Sequence, residues 1–394
     1  MTTTPTRRRF LQASAAAAAW ASAPALVRNA HAAGEFRIGM FYAIAGPAAG
    51  LFGPTQKACA ELAVDEINAK GGIMGRKIVL SFANGDGPVA EASKAAVRMM
   101  LEEKVDFFLG SHNSAVREAL VGTIKAKVPY VYTPIYEGGE CGANTYVLAD
   151  TPQQQMETAL PWIAKKAGYK SVYFIGNDYV WPQITNKHAK RIIEAGGGKV
   201  IGEEYVPLGA PNKFEEAVTR IKAAKPEFVL ITLVGADNVN FNRTFAGFGL
   251  DKDMLRASML LEENTLLGIG AENSKQLYNC MSYFSTVPGA AHDAFKAAYK
   301  AKFGDKAPQL GIIGVDCYAG VYCAKALVEK AKGTKAADLM AASEGLEIMT
   351  ATGPVTMHNR HPDKPMYLAE CEGTTFKIIK TFDAVKSGET CQQA

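Results

Sequence analysis

The sequence contains few of the residues with which enzymes and metalloproteins build a reactive centre. It has only six histidines in 394 residues. There is no phosphate-binding loop of the form G-x-x-x-x-G-K-S/T, and no G-x-G-x-x-G motif follows a predicted strand. His358 and His361 have the spacing H-x-x-H, but no cysteine or acidic triplet completes a metal site. These absences favour binding over catalysis, and they predict neither a cofactor nor a metal.

Apart from its amino terminus, the chain also has no excess of positive or negative charge. The formal net charge is +4, and four arginines lie within residues 1–32, so the remainder is neutral (4 − 4 = 0). A neutral chain argues against nucleic acid or an anionic membrane surface as a partner. After Val27, no run of residues is long and apolar enough to cross a bilayer.

Residues 1–32 have the features of an export signal. A charged stretch (Arg7–Arg9) precedes an apolar, alanine-rich stretch (Ala13–Val27) and an A-x-A cleavage site (Ala30–Ala32). The paired arginines resemble the twin-arginine signal, which is an address rather than a membrane anchor. Because no lipobox-type cysteine follows, we expect a periplasmic protein without a lipid anchor.

The seven cysteines do not suggest a disulfide framework. A twin-arginine route exports folded protein from a reducing cytosol, so we expect the fold not to depend on disulfides. Cys317 and Cys323 are six residues apart in a predicted helix. That spacing places them roughly 120° apart around the helix axis, so they should not bond each other.

The first part of the mature chain predicts a strand–loop–helix–strand unit. Apolar residues alternate from Phe36 to Met40 and indicate a buried strand. A loop rich in glycine and proline follows at 46–54, and helical spacing begins at Lys57. The glycine pair at 71–72 ends the helix. In open α/β sheets, ligands bind at the loop that follows such a strand.

The same alternation of strands and helices continues along the chain and predicts a doubly wound parallel sheet. A length of 394 residues, 48% of them hydrophobic, favours two domains over one. EINAKGGIMGRKIVL is echoed later by IIEAGGGKVIGEEYV. This weak internal repeat suggests two similar lobes.

The signal peptide, the AGPAAG loop and the segment VDEINAKGGIMGRKI resemble the solute-binding proteins of branched-chain amino acid importers. Within that family, the short-chain amide and urea binders are most similar to four segments: YTPIYEGGEC (132–141), FIGNDYVWPQITN (174–186), EEYVPLG (203–209) and GPVTMHNRH (353–361). The resemblance covers essentially the whole mature chain. It implies the type I periplasmic-binding fold, an α/β fold of two Rossmann-like lobes joined by three crossing strands. It also implies an inner-membrane ABC permease as partner.

The resemblance also implies a division of the chain. The expected parts are the signal peptide (1–32), the N-terminal lobe (33–150 and 284–354) and the C-terminal lobe (151–283 and 355–394). The crossings between the lobes should fall near 148–151, 281–285 and 350–355.

Ligand-binding residues are expected where strands end. By analogy with the family, Ser111 and the backbone at His112 should bind a carbonyl or carboxylate group, although Ser111 could instead cap the following helix. The other candidates are Tyr132, Thr133 and Pro134 on the next strand end, Tyr179, Trp181 and Gly235 on the second lobe, and Glu262 and Glu263. The two glutamates would bind a ligand ammonium or an amide N–H. Each tyrosine could also be an ordinary half-buried side chain.

These patterns predict a periplasmic substrate-binding protein of an ABC importer, with urea or a short-chain amide as the favoured ligand. A binder of branched-chain or other amino acids is the main alternative. An amide-sensing regulator with the same fold is a further one, and the export signal counts against it. An amide hydrolase lacks a set of nucleophile, base and orienting residue, so we predict no catalytic residues.

Overall fold

The computed structural model describes residues 34–168, 170–209 and 214–391. The predicted signal peptide therefore lies outside the described residues. The strands are β1 (Phe36–Tyr42), β2 (Ile78–Asn84), β3 (Phe107–Gly110), β4 (Tyr130–Tyr132), β5 (Thr145–Val147), β6 (Ser171–Asn177), β7 (Lys199–Val206), β8 (Phe228–Thr232), β9 (Leu255–Ser258), β10 (Leu277–Met281), β11 (Leu346–Thr350), β12 (Gly353–His358), β13 (His361–Glu372) and β14 (Thr375–Val385). The helices are α1 (Ala49–Ala69), α2 (Val89–Arg98), α3 (Ser114–Ile124), α4 (Pro152–Ala167), α5 (Val180–Ala195), α6 (Glu215–Ala224), α7 (Gly235–Gly247), α8 (Glu263–Ile269), α9 (Ala290–Phe303), α10 (Ile312–Ala331) and α11 (Ala336–Ser343).

Two sheets organise these elements. The first has the order β2-β1-β3-β4-β5, and all its neighbouring strands are parallel. In the second, the strands β7-β6-β8-β9-β10 are parallel, and β10 pairs with the antiparallel β13. Parallel neighbours need long crossovers, which the helices supply. The predicted α/β fold with two lobes on parallel sheets is confirmed; we call them the N-lobe (first sheet) and the C-lobe (second sheet).

The first helix begins earlier than its apolar spacing predicted. α1 starts at Ala49 rather than near Lys57, because Phe52 already buries its side chain in the core. Gly53 lies so close to the backbone of Ala43 that a Cβ would be 2.2 Å from the carbonyl oxygen. Only glycine permits this approach, which holds the loop after β1 against the start of α1.

The late helix α10 completes the N-lobe. It packs between α1 and the first sheet, and glycines make both contacts close. A Cβ on Gly314 would be 2.3 Å from Thr55 of α1, and one on Gly320 would be 2.4 Å from Leu109 of β3. Although α10 is mostly apolar, none of the helices in the described ranges has both the length and the hydropathy to cross a membrane.

Three segments carry the chain between the lobes. One links β5 to α4 and contains Asp150, and another links β10 to α9 and contains Ser282. The third lies in the stretch that contains β11, β12 and β13, which continue the second sheet: β13 pairs with β12 near its start and with β10 through Tyr367–Glu370. The crossing predicted near 350–355 falls within this stretch and stays a prediction.

A buried charge cluster joins these three segments. Lys364 Nζ lies 3.1 Å from Asp150 Oδ1 and 3.8 Å from Asp316 Oδ2. It also donates to Ser282 Oγ at 3.3 Å, and the Ser282 backbone N–H donates to Asp150 Oδ2 at 2.8 Å. Burial acts to lower the pKa of Lys364, but the charges of Asp316 and Asp150 outweigh it and raise that pKa. We call these four residues the hinge cluster.

The structure contains a disulfide, although we expected the fold not to depend on disulfides. Cys141 and Cys391 are bonded across a sequence separation of 250. The bond ties the carboxyl-terminal segment to the loop after β4, where the Gly139 N–H also donates to Glu389 at 2.9 Å. The sequence alone does not indicate that Cys141 and Cys391 pair, because only the folded chain brings the two thiols within bonding distance. As expected, Cys317 and Cys323 are not bonded to each other.

Candidate functional site

A cavity of about 280 Å³ lies between the lobes. Its walls in the N-lobe are the end of β4, the segments that follow β1, β2, β3 and β4, and the start of α10; in the C-lobe they are the segments that follow β6, β7, β8 and β9. This is the position at which open α/β sheets bind ligands. The predicted site residues that line it are Ser111, His112, Tyr132, Pro134, Tyr179 and Gly235.

Ser111 lies at the inner end of the N-lobe wall. Its hydroxyl accepts a hydrogen bond from Gln56 Nε2 at 2.7 Å and donates to the Ile313 carbonyl at 3.4 Å. The cap of α3 is Asn113, whose side chain accepts from the Val116 N–H. The alternative that Ser111 caps this helix is therefore wrong, because Asn113 stands at the capping position.

His112 and Tyr132 form an aromatic floor whose polar atoms are already engaged. The Tyr132 hydroxyl donates to the His112 carbonyl at 2.7 Å, and His112 Nε2 lies 2.9 Å from the Tyr130 hydroxyl. Burial lowers the pKa of His112 to about 4. The imidazole is thus neutral near pH 7, and it brings no positive charge to the cavity.

The C-lobe wall closes over this floor. Tyr179 directly precedes α5, and Gly235 begins α7 with a positive φ of 55°. At the mouth the lobes touch: a Cβ on Gly235 would be 3.4 Å from Leu51 of the N-lobe, and one on Gly209 would be 2.5 Å from Pro47. The cavity is therefore enclosed by both lobes at once.

Thr133 and Trp181 were predicted to bind ligand, but they lie behind the cavity wall. The Thr133 hydroxyl donates to the Gly110 carbonyl at 3.3 Å. Trp181 is 1% exposed and packs beneath Tyr179, with 6.2 Å between ring centroids. Thr133 faces the lobe interior because side chains alternate across the end of a strand, and Trp181 lies in the first turn of α5 among the buried residues of that helix.

Glu262 and Glu263 are also absent from the lining. Glu262 caps α8 by accepting from the Thr265 N–H at 3.0 Å, and Glu263 accepts from the Ser285 N–H. Burial raises the pKa of Glu262 to about 7. Burial, and then the charge of Glu262, raise the pKa of Glu263 to about 8. The predicted binding role for these glutamates is not supported, since their carboxylates serve the backbone of α8 and of the β10–α9 crossing.

We expect Glu263→Gln to stabilise the protein at pH 8 and to leave its stability nearly unchanged at pH 5. The folded state keeps a proton on Glu263 that the unfolded chain releases above its ordinary pKa of 4.5. Wild-type stability should therefore fall as the pH rises from 4.5 towards 8, and glutamine removes that loss. Urea denaturation at both pH values measures the difference. A variant that is less stable than wild type at pH 8 would contradict the raised pKa.

Several lining residues were not predicted, namely Gln56, Asp86, Asn113, Ser114, Asp237 and Asn240. Asp86 follows β2 in the same way as Ser111 follows β3, so the strand-end rule could have found it. Gln56 has no such signal, because it lies inside α1 and reaches the site only when that helix packs on the sheet.

The segment YEGGEC has a structural role next to the site. Glu137 and Glu140 flank the buried Arg117 at 2.9 Å each. Ser114, which lines the cavity, donates from its hydroxyl to Glu137 at 2.6 Å. The guanidinium carbon of Arg117 lies 5.5 Å from the ring centroid of Tyr132. This segment thus supports two lining residues from behind.

Known proteins show both the family and the fold. A family model described as "Periplasmic binding protein" matches residues 35–375. The Leu/Ile/Val-binding protein homolog 3 of Brucella melitensis is 27% identical over 328 residues, which cover 82% of this chain and 87% of the relative. These matches extend over both lobes.

Solved structures of bacterial binding proteins have the same fold as this chain. A solute-binding protein of an ABC transporter from Rhodopseudomonas palustris, in complex with 3,4-dihydroxybenzoic acid, has a TM-score of 0.78 at 23% identity and covers 90% of this chain and 99% of its own. The branched-chain amino acid transporter substrate-binding protein LivJ from Streptococcus pneumoniae, in complex with isoleucine, has a TM-score of 0.76 at 20% identity and covers 89% of this chain and 99% of its own.

Proposed function

The chain belongs to the periplasmic binding protein family, and from this premise we propose that its cavity captures an amino acid with an apolar side chain. As a member it is a periplasmic solute-binding protein of an ABC transporter and not an enzyme. The transporter implies an inner-membrane permease as partner. The twin-arginine export route and the division of the chain between the lobes stay predictions.

The observation that carries the proposal is a seat for a carboxylate on the N-lobe wall. In the described chain, no protein group accepts a hydrogen bond from the backbone N–H of His112 or Asn113, and both residues line the cavity. They directly precede α3, whose N-terminal end favours a negative group. A ligand carboxylate bound there would pair these N–H groups.

The rest of the cavity suits a small apolar body. Its apolar lining residues include Phe52, Pro134, Ile135, Leu260 and Ile313. A volume of about 280 Å³ is near the lower end of the roughly 300–1,000 Å³ usual for ligand pockets. A branched aliphatic side chain could therefore bury its surface against these residues without leaving large voids.

The amino acid alternative now stands ahead of urea and short amides. The curated relative is named for leucine, isoleucine and valine. The segment YEGGEC, whose sequence favoured an amide ligand, has structural roles instead: its two glutamates pair with Arg117, and its cysteine forms the disulfide. An aromatic carboxylate is the second candidate, because Phe52, Tyr132 and Tyr179 bring three rings to the cavity.

Calorimetric titration with leucine, isoleucine, valine, alanine, benzoate, urea and acetamide tests the proposal. We expect leucine to bind roughly 50-fold more tightly than alanine, because its three further carbons are each worth about 0.8 kcal/mol when buried. Small-angle scattering should show a smaller radius of gyration with leucine, since ligand shifts the lobes towards the closed state. Binding of benzoate without any amino acid would support the second candidate, and binding of urea or acetamide alone would restore the amide interpretation.

A further inference from the structure

The cavity has an imbalance of charge. Its lining in the described residues includes two carboxylates, Asp86 and Asp237, and no lysine or arginine. Its histidine is neutral, as shown above. Behind the wall, Arg117 is outnumbered by Glu137 and Glu140. A carboxylate in such a site is poorly stabilised unless a positive charge joins it, so the ligand is the natural source of that charge.

Of the two carboxylates, Asp86 has the weaker support. Within the described chain, the only hydrogen bond to its carboxylate comes from the Ala48 N–H, at 2.6 Å from Oδ2. Asp237, in contrast, accepts from Asn177 Nδ2 at 2.7 Å and from the Gly209 N–H at 3.3 Å. Burial raises the pKa of Asp86, and the hydrogen bond from Ala48 offsets this only in part. A cation beside Asp86 would supply the missing stabilisation.

Asp86 also lies close to the proposed carboxylate seat. Gly85, its neighbour, packs so closely on His112 that a Cβ there would be 2.8 Å from the His112 Cβ. The segment with Asp86 thus lies beside the proposed carboxylate seat at His112 and Asn113. In an α-amino acid the ammonium and the carboxylate are attached to the same carbon, so the groups that bind them must be neighbours.

The backbone around Asp86 is fixed before any ligand arrives. Asn84 Oδ1 accepts hydrogen bonds from three backbone N–H groups, those of Ile44, Ala45 and Asp86 itself, at 3.1–3.2 Å. This side chain joins the loop after β1 to the loop after β2. The Asp86 carboxylate is therefore held at the cavity wall at little further cost in conformational entropy when a ligand binds.

We propose that Asp86 binds the ammonium group of the ligand and makes the protein selective for amino acids over simple carboxylic acids. This inference rests on the proposed function. It assigns both charged groups of the ligand to the N-lobe, so that lobe recognises the ligand and the C-lobe, with Tyr179, covers it. Glu262 and Glu263 then act in the architecture of the C-lobe and not in recognition.

The test is calorimetric titration of wild type, Asp86→Asn and Glu262→Gln with L-leucine and with 4-methylpentanoate, which is leucine without its amino group. Asparagine keeps the acceptor for the Ala48 N–H and removes the charge. The Asp86 carboxylate is half-buried, and a ligand bound beside it would cover it, so we expect Asp86→Asn to weaken leucine binding at least about 30-fold, as for loss of one partner of a buried charge pair. The same variant should bind 4-methylpentanoate at least as tightly as wild type does. Glu262→Gln, the matched control, should bind leucine as wild type does.

The outcomes separate this proposal from the function on which it rests. If wild type binds no amino acid, the proposed function fails and Asp86 loses its role with it. If wild type binds leucine but Asp86→Asn binds it equally well, or if Glu262→Gln alone loses it, only the assignment of Asp86 is overturned. An equal loss of leucine and 4-methylpentanoate in Asp86→Asn would also overturn it, because the residue would then only support the loop at Ala48. If the asparagine variant does not fold, Asp86→Ser is judged by the same comparison.

Discussion

Replacing Lys364 with methionine is expected to lower the free energy of unfolding by about 3–5 kcal/mol, the usual cost when one partner of a buried ion pair is lost. The side chain of Lys364 is 5% exposed and that of Asp150 is 0% exposed. Methionine is of similar length but has no charge, so Asp150 would be left with the Ser282 N–H as its main partner. Urea denaturation followed by tryptophan fluorescence measures the loss.

Two further variants make this prediction specific to the hinge cluster. Lys300→Met removes an exposed partner of Asp305 and should have no measurable effect, because exposed pairs contribute little. The double variant Asp150→Asn/Lys364→Met should recover part of the loss, since the unpaired carboxylate is gone. A Lys364→Met protein as stable as wild type would show that the cluster does not hold the crossing segments together.

The second large effect is expected for Arg117→Met. This change leaves Glu137 and Glu140 buried together without a cation, and we expect a loss of about 3–5 kcal/mol in the free energy of unfolding. Ligand affinity should fall as well, because Ser114 is hydrogen-bonded to Glu137 and the ring of Tyr132 packs on the guanidinium. Urea denaturation and titration with leucine measure the two losses separately.

A matched control and a rescue accompany this variant. Arg220→Met breaks a pair with Glu204 in which the arginine side chain is 53% exposed, so it should change stability far less. Adding Glu137→Gln and Glu140→Gln to Arg117→Met should restore much of the stability, because the buried charges are then gone. If the triple variant were as unstable as Arg117→Met alone, the loss would come from packing of the arginine stem and not from charge.

Much of the fold follows from local patterns in the sequence. The alternation from Phe36 to Met40 and the glycines after the first helix act over a few residues, so they are visible without the rest of the chain. The exceptions are contacts between distant segments. α1 begins before Lys57 because the side chain of Phe52 is buried in the core, and β13 pairs with the distant β10 as well as with its neighbour β12.

For the candidate site too, local patterns predicted one part and contacts between distant segments decided the rest. Four lining residues lie at the ends of strands or shortly after them, and the rule that ligands bind where parallel strands end brings them to one cavity: Ser111, Tyr132, Tyr179 and Gly235. The rule cannot say which side chains already have partners. Glu262 follows a strand too, yet its carboxylate caps α8.

The sequence by itself therefore determined the α/β class, the two lobes, the binding rather than catalytic character and the edge of the sheets at which the site lies. These depend on periodicity, turn residues and composition, which are properties of short stretches. Only the tertiary structure decided that Cys141 bonds Cys391, that Lys364 joins the three crossings and that Asp86 rather than Glu262 lines the cavity. Each of these is a choice among partners far apart along the chain, and the distances that settle such a choice exist only once the chain has folded.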